Sequence, residues 1–281
     1  MNVAILPYEY RLKGRLANVP LKALRWPLGD VERTGTVGDL GPDDHIIIYP
    51  RSKYFLDPRS GVKCNISLLI AEPYAVQRRN YLSAIALQKR FHRIITHRPS
   101  MARWAANALV MPFGGGWVET SDLEPVEKTR NMSLIASAKT ELEGHALRHK
   151  IASWCNEAGQ DVDLLGLAYK RIDRKEDGLL QYRYTVVIEN SREEGYFTEK
   201  LVDSLLCDTL PIYWGAPDIG RYFDMEGMVV CQSEDELKQA ILNATPLHYR
   251  QKQAAIARNH ELALAYVDYE KNAAERLARA A

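Results

Sequence analysis

Residues 184–217 read YTVVIENSREEGYFTEKLVDSLLCDTLPIYWGAP, and they gather most of the chain's chemistry. An apolar run stops at Glu189, Asn190 and Ser191. A polar loop leads to Tyr196 and Phe197, and Thr198, Glu199 and Lys200 open a helical pattern. A cation in a first helical turn opposes the helix dipole, so Lys200 asks for a partner. Arg148 sits in the early turns of another predicted helix. Two cations beside two helix starts suit a diphosphate. The plainer reading makes each an ordinary surface cation. Glu199 in a first turn offsets the dipole in any case. Glu189 ends a buried strand, where an uncompensated carboxylate is costly. Asn190 and Ser191 can hydrogen-bond a ribose or sugar, or serve only as turn residues. Glu72 follows an apolar run and precedes Pro73; at a strand end it could act as a general base. His97 holds the same place one strand on, and either residue could be an exposed loop residue.

These residues depend on alternating elements. Residues 2–6, 45–49, 66–71 and 93–96 read as strands, and 81–91 as a helix with Leu82, Ile85 and Ala86 on one side. Residues 132–136, 162–165, 183–188, 210–214 and 228–231 repeat the strand pattern. Helices are predicted over 141–157, where Leu147, Ile151 and Trp154 share a face, over 198–207 with Leu201, Val202, Leu205 and Leu206 inward, and over 234–242. From residue 246 the pattern is helical almost to the end. Such alternation predicts α/β architecture with parallel sheets, and in an open sheet of this kind ligands bind where strands end. Gly114-Gly115-Gly116 reads as a hinge rather than a phosphate cradle, because no helix pattern follows it. The predicted organisation is an N-terminal acceptor-side lobe at 1–118, a linker at 119–131, a donor-binding lobe at 132–245 and a helical segment at 246–281.

The chain has 281 residues, 46% hydrophobic and 26% charged, with a net charge of +1. That supports a sizeable core and gives no field for nucleic acid. Cys64, Cys155, Cys207 and Cys231 form no CxxC pair, so a zinc site is not expected, and reduced thiols in a cytoplasmic setting are. No run approaches the roughly 20 apolar residues of a membrane span. Peripheral membrane contact by the helical C-terminus stays open.

The blocks Glu189-Asn190-Ser191, Tyr196-Phe197-Thr198-Glu199-Lys200 and Pro211-Ile212-Tyr213-Trp214-Gly215-Ala216-Pro217 closely resemble the signature of the α-1,3-fucosyltransferases, glycosyltransferase family 10. That signature runs FENS, a short loop, Y-V-T-E-K, an amphipathic helix, then P-I-Y-W-G-[SA]-P. The likeness is strong over these blocks. It is weaker around Ser133 to Lys150, around Glu72, whose IAEPY is similar to G-E-N-x-x-P, and at residues 110–113. Val187-Ile188 replaces the usual Ala/Cys-Phe, and Leu165-Gly166-Leu167 is all that stands for a glycine-rich turn. The cysteine pairs and membrane anchor of animal members are absent, so the likeness is to bacterial or viral soluble ones.

The resemblance implies a GT-B fold, with two Rossmann-like lobes facing a cleft and a C-terminal helix. It implies inverting transfer of fucose from GDP-fucose to a glycan hydroxyl, with no metal or other cofactor required. Arg148 and Lys200 would hold the diphosphate. Glu199 would meet the sugar and favour positive charge on its ring, and Asn190 and Tyr196, flanked by Glu189 and Ser191, would line the donor pocket. Glu72 would be the base, with His97 as the alternative. Two rival readings are the same chemistry with another nucleotide sugar, and a non-catalytic sugar-nucleotide or glycan-binding module.

Overall fold

A computed structural model describes residues 1–29, 34–56, 59–119 and 126–279. The chain forms two compact units: Met1–Phe113 together with Tyr269–Ala281, and Gly114–Asp268. The chain passes between them at Phe113–Gly114 and at Asp268–Tyr269. Both crossings differ from the predicted divisions, and most of the predicted linker, residues 120–125, lies outside the described residues.

The first unit is built on five parallel strands: β1 (Val3–Ile5), β2 (His45–Ile48), β3 (Asn65–Ile70), β4 (Ile94–Thr96) and β5 (Ala108–Val110). Their order across the sheet follows the sequence. Right-handed crossovers that always step the same way lie on one face of the sheet. On that face α2 (Tyr74–Ala86) packs Tyr81 and Ala84 against Ile46, Ile48, Leu68 and Ile70, and the short α1 (Ser52–Leu56) adds Tyr54 and Phe55. The opposite face carries Val3, Ile5, Ile47, Leu69 and Ile95. It is covered by the last helix of the chain, which contributes Ala273, Ala274 and Leu277. That explains why the C-terminus returns to this unit: a parallel sheet needs cover on both faces.

Helix α2 begins seven residues before the predicted start, directly after Pro73. Its buried residues are Tyr81 and Ala84; of the predicted face Ile85 packs against the core, whereas Leu82 is 50% exposed and Ala86 is exposed, so the face is corrected at those two positions. The Tyr81 hydroxyl sets the rotation, reaching the Glu72 carbonyl at 3.2 Å and Thr96 Oγ1 at 3.1 Å.

The second unit holds β6 (Arg130–Ile135), α3 (Glu143–Glu157), β7 (Val162–Leu165), β8 (Tyr182–Ile188), α4 (Glu199–Leu206), β9 (Leu210–Trp214), β10 (Val229–Val230) and α5 (Glu234–Leu242). Strand order is β10-β9-β8-β6-β7, all parallel. The chain steps one way from β6 to β7 and the other way from β8 to β9. Accordingly α3 packs Ile151, Ala152 and Cys155 on one face of the sheet. Helix α4 packs Leu201, Val202, Leu205 and Leu206 on the other, as predicted. Between β6 and β8 the strand order reverses, which is the switch point where open α/β sheets leave a crevice.

The helical run predicted from residue 246 is three helices, α6 (Pro246–Gln251), α7 (Gln253–Leu264) and α8 (Tyr269–Arg279). The glycine run is neither a free hinge nor a cradle. Gly114, Gly115 and Gly116 donate their N–H groups to the carbonyls of Phe197, Tyr266 and Val267 at 3.0, 2.7 and 2.9 Å. Gly114 has φ +79°, and a Cβ there would lie 2.7 Å from Tyr266, so the strap requires glycine. All four cysteines are free and buried, and burial pushes the Cys155 thiol to about 11 and Cys207 to about 12.

Candidate functional site

The site grows from the end of β8. Glu189 is fully buried. Its Oε1 accepts the Thr198 N–H and its Oε2 the Thr198 hydroxyl, both at 2.8 Å. Thr198 is also the N-cap of α4, accepting the Lys200 N–H at 3.4 Å. One threonine therefore starts the helix and satisfies the buried carboxylate. Burial pushes the Glu189 carboxyl up and Glu199 adds to this, while Lys200 and Thr198 hold it back.

Lys200 turns toward these acids. Its Nζ lies 3.0 Å from Glu199 Oε1, 3.1 Å from Thr198 Oγ1 and 3.9 Å from Glu189 Oε2. Burial disfavours the ammonium, but Glu199 and Glu189 outweigh it and the pKa rises. Glu199 responds in kind. Burial would raise it, yet Lys200 and Lys175 bring its carboxyl down to about 2. The cost of placing a cation in the first turn of α4 is thus met by two acids that share it.

Arg148 reaches the same strand end from α3. It is buried, and its Nη2 donates to the Ile188 carbonyl at 2.6 Å and to Asn190 Oδ1 at 3.3 Å. Its Nε is buried with no hydrogen-bond partner, and among the described residues Arg148 forms no ion pair. Burial lowers its pKa, while Glu189, Glu199 and Tyr196 act in the opposite sense. The two cations meet one strand end: Arg148 holds the carbonyl of Ile188, Lys200 faces the carboxylate of Glu189, and the Arg148 charge acts on Lys200.

The approach of α3 depends on Gly144. Its N–H donates to the Asn190 carbonyl at 3.1 Å, and a Cβ at that position would lie 1.7 Å from the Glu189 carbonyl oxygen. Ser191 follows with a buried hydroxyl that has no partner. Tyr196 is buried at the far side of the loop, which turns through the Tyr196 N–H to Glu193 carbonyl bond at 3.2 Å. Thus Arg148, Glu189, Asn190, Ser191, Tyr196, Glu199 and Lys200 come together in the second unit.

Glu72 and His97 belong to the first unit. Glu72 directly follows β3, whose Ile70 pairs with Thr96 of β4, and His97 directly follows Thr96. They end neighbouring strands on one sheet edge. His97 is buried with its ring edge-on to Phe113 at 5.7 Å.

Three residues of the second unit escaped the sequence reading. His145 is buried beside Arg148, with its Nδ1 3.6 Å from Glu141 Oε2; burial first, then the Arg148 charge, lowers its pKa and favours the neutral ring. Its spacing of three from Arg148 on a predicted helix was an available signal. Lys175 lies in a short 3-10 turn, Lys175–Gly178. Its Nζ donates to the Glu199 carbonyl at 3.0 Å and pairs with Asp203 at 2.6 Å. Asp203 is fully buried on α4 and accepts the N–H groups of Trp117 and Val118 at 2.9 and 3.2 Å. No local pattern marks these two, because their meeting is tertiary.

A partnerless donor on a buried guanidinium, a nearby ammonium and two helix starts at a strand-order reversal suit a phosphorylated ligand. Among the described residues no three His, Cys, Asp or Glu side chains are grouped to hold a metal ion. No described helix is long and apolar enough to cross a membrane.

No protein-family profile matches the chain. A Helicobacter pylori alpha-(1,3)-fucosyltransferase, FucT, is 32% identical over 77 residues, 27% of this chain and 16% of that protein. A putative fucosyltransferase-like protein of Arabidopsis thaliana is 25% identical over 109 residues, 38% of this chain and 21% of that protein. The matches thus span less than a quarter of these relatives' length. Among solved structures, an alpha1,3-fucosyltransferase with GDP aligns at TM-score 0.50 and 16% identity, covering 78% of this chain and 76% of that one. Anabaena HepE in complex with UDP aligns at 0.60 and 14%, covering 84% and 79%. A trehalose-phosphate synthase from Burkholderia vietnamiensis aligns at 0.57 and 12%, covering 86% and 74%. At such identities the likeness is one of architecture, and that architecture, two parallel-sheet α/β units completed by a C-terminal helix, is the GT-B fold.

Proposed function

We propose that this chain is a glycosyltransferase that moves a sugar from a nucleoside diphosphate to a glycan hydroxyl with inversion, and that its donor is GDP-fucose. One observation carries the proposal: Arg148 is a buried cation with no ion pair among the described residues and a partnerless Nε, at the switch point of the second sheet. A buried charge in that condition calls for an anion.

In this reading Arg148 and Lys200 hold the diphosphate, and their contacts strengthen as charge builds on the leaving group. Glu199, kept ionised by Lys200 and Lys175, faces the sugar and favours the positive charge that develops on its ring. Asn190, Ser191 and Tyr196 line the donor pocket, and Glu189 holds the start of α4 in place. Glu72 takes the acceptor hydroxyl proton; His97 is the alternative base. The acceptor oxygen then bonds to the anomeric carbon while the bond from that carbon to the β-phosphate oxygen breaks, and GDP departs with the electron pair.

The GDP-fucose assignment is supported by the local likeness to the Helicobacter pylori enzyme. The fold is shared as closely with a UDP complex. The second reading is therefore the same transfer with another nucleotide sugar. Purified protein is incubated with GDP-fucose and mixed glycan acceptors, and released GDP and product are measured. A parallel thermal-shift panel of nucleotide sugars identifies the donor by the largest stabilisation. Binding without product or hydrolysis for every donor and acceptor would end the transferase reading.

A further inference from the structure

The strap after the glycine run displays an aromatic ring that the transfer reaction as described leaves unused. Trp117 is 71% exposed. Yet its backbone is firmly tied: Asp203 accepts the Trp117 and Val118 N–H groups, and the Gly114, Gly115 and Gly116 N–H groups are all bonded. Lys175 supports the ring, its Nζ lying 4.8 Å from the centroid. That same ammonium pairs with Asp203 and donates to the Glu199 carbonyl. One mostly buried cation therefore fixes both an outward indole and the backbone of the acid assigned to the sugar.

An exposed tryptophan contributes little to folding, and an isolated one on a surface needs no explanation. This one differs in having its backbone tied down and its ring seated on Lys175, the cation that also holds the Glu199 carbonyl. With one face on Lys175, its exposure belongs to the other face and the edges. Aromatic faces are electron-rich, and the axial C–H bonds of a pyranose carry partial positive charge, so a sugar ring lies flat on such a surface.

We propose that Trp117, backed by Lys175, is a stacking platform for a pyranose ring next to Glu199. The inference rests on the nucleotide-sugar reading and adds a sugar subsite to it. The ring could belong to the donor sugar or to the acceptor, and both present the same C–H face.

The test compares Trp117→Ala and Trp117→Phe with the wild-type chain. Calorimetry measures GDP and GDP-fucose separately, and transfer kinetics give the acceptor KM. In the Ala variant GDP affinity stays within about twofold. Either the affinity gained by adding fucose to GDP, or the acceptor KM, worsens about tenfold. The first outcome assigns the platform to the donor sugar and the second to the acceptor, and Phe recovers most of the loss. Weakening of GDP itself by the same factor overturns the proposal in favour of base stacking, and so do unchanged constants throughout. A wild-type chain that transfers beside an unchanged Ala variant refutes the platform alone. A wild-type chain that binds no nucleotide sugar refutes the donor reading and this inference with it.

Discussion

The two sheets run their strands in different orders, and the edges they present differ accordingly. In the first unit the order follows the sequence without reversal. Its strand ends carry Glu72 and His97 side by side, with Tyr81 linking the Glu72 carbonyl to Thr96. In the second unit the order reverses between β6 and β8, so the segments after those strands part to opposite faces. There the edge holds an interlocked set of charges, Glu189, Lys200, Glu199 and Lys175, joined through Thr198, with Arg148 alongside. The lesson is that a charged ligand site is made where topology leaves a gap and where buried charges can be shared among several partners. An edge without a reversal offers single groups instead.

The widest gap between the two edges is expected from removing one cation. Lys200→Ala leaves Glu189 buried without its ammonium, which is expected to cost about 3–5 kcal/mol of stability and up to about 1000-fold in transfer. Urea unfolding and product assays read the two effects. Adding Glu189→Gln to Lys200→Ala should recover stability but not transfer; full activity in Lys200→Ala or in Arg148→Ala would break the diphosphate assignment. Glu72→Gln in the first unit is expected to lower turnover about 100-fold, with donor affinity and melting temperature unchanged. If His97→Ala shows that pattern instead, the base is reassigned.

Acid titration sharpens the contrast within the second unit. Glu199 is held at about 2 against an ordinary 4.5, so its charge stabilises the fold above pH 4.5 and that contribution fades as pH falls toward 2. The shift corresponds to roughly 3 kcal/mol. Glu189 is shifted the other way, so its contribution is present below pH 4.5 and is lost as pH rises through its folded value. Urea midpoints between pH 3 and 7 should therefore fall less steeply with acid in Glu199→Gln and more steeply in Glu189→Gln. Parallel slopes in the two variants would contradict the charge network. The smallest effect is expected away from the site. Ser233 caps α5 by accepting the Glu236 N–H at 3.2 Å, and Ser233→Ala should cost about 1 kcal/mol and leave transfer unchanged.

Much of the second unit was legible because its elements carry their own patterns. Leu201, Val202, Leu205 and Leu206 mark one helix face, Leu210–Trp214 is a continuous apolar strand, and Thr198, Glu199 and Lys200 announce a helix start. Arg148 was legible only as a cation early in a helix; that it lies buried over Asn190 follows from Gly144, whose missing Cβ admits the Glu189 carbonyl. Lys175 and Asp203 were not legible, since a 3-10 turn and a helix interior meet only after folding. In the first unit, α2 was misplaced because Leu82 looked like a core residue, whereas the Tyr81 hydroxyl decides the rotation. The breaks between α6, α7 and α8 have no glycine or proline to mark them.

The return of α8 to the first sheet bears on how the protein is made. On a ribosome the five strands of the first unit emerge before the second unit, but the helix that seals their second face, with Ala273, Ala274 and Leu277, emerges only after it. The second unit, continuous from Gly114 to Asp268, is complete by then. Synthesis thus leaves the N-terminal sheet waiting with an oily side uncovered while its neighbour matures, inverting the usual order in which domains finish. Trimming the chain before Tyr269 would turn that passing exposure into a permanent one.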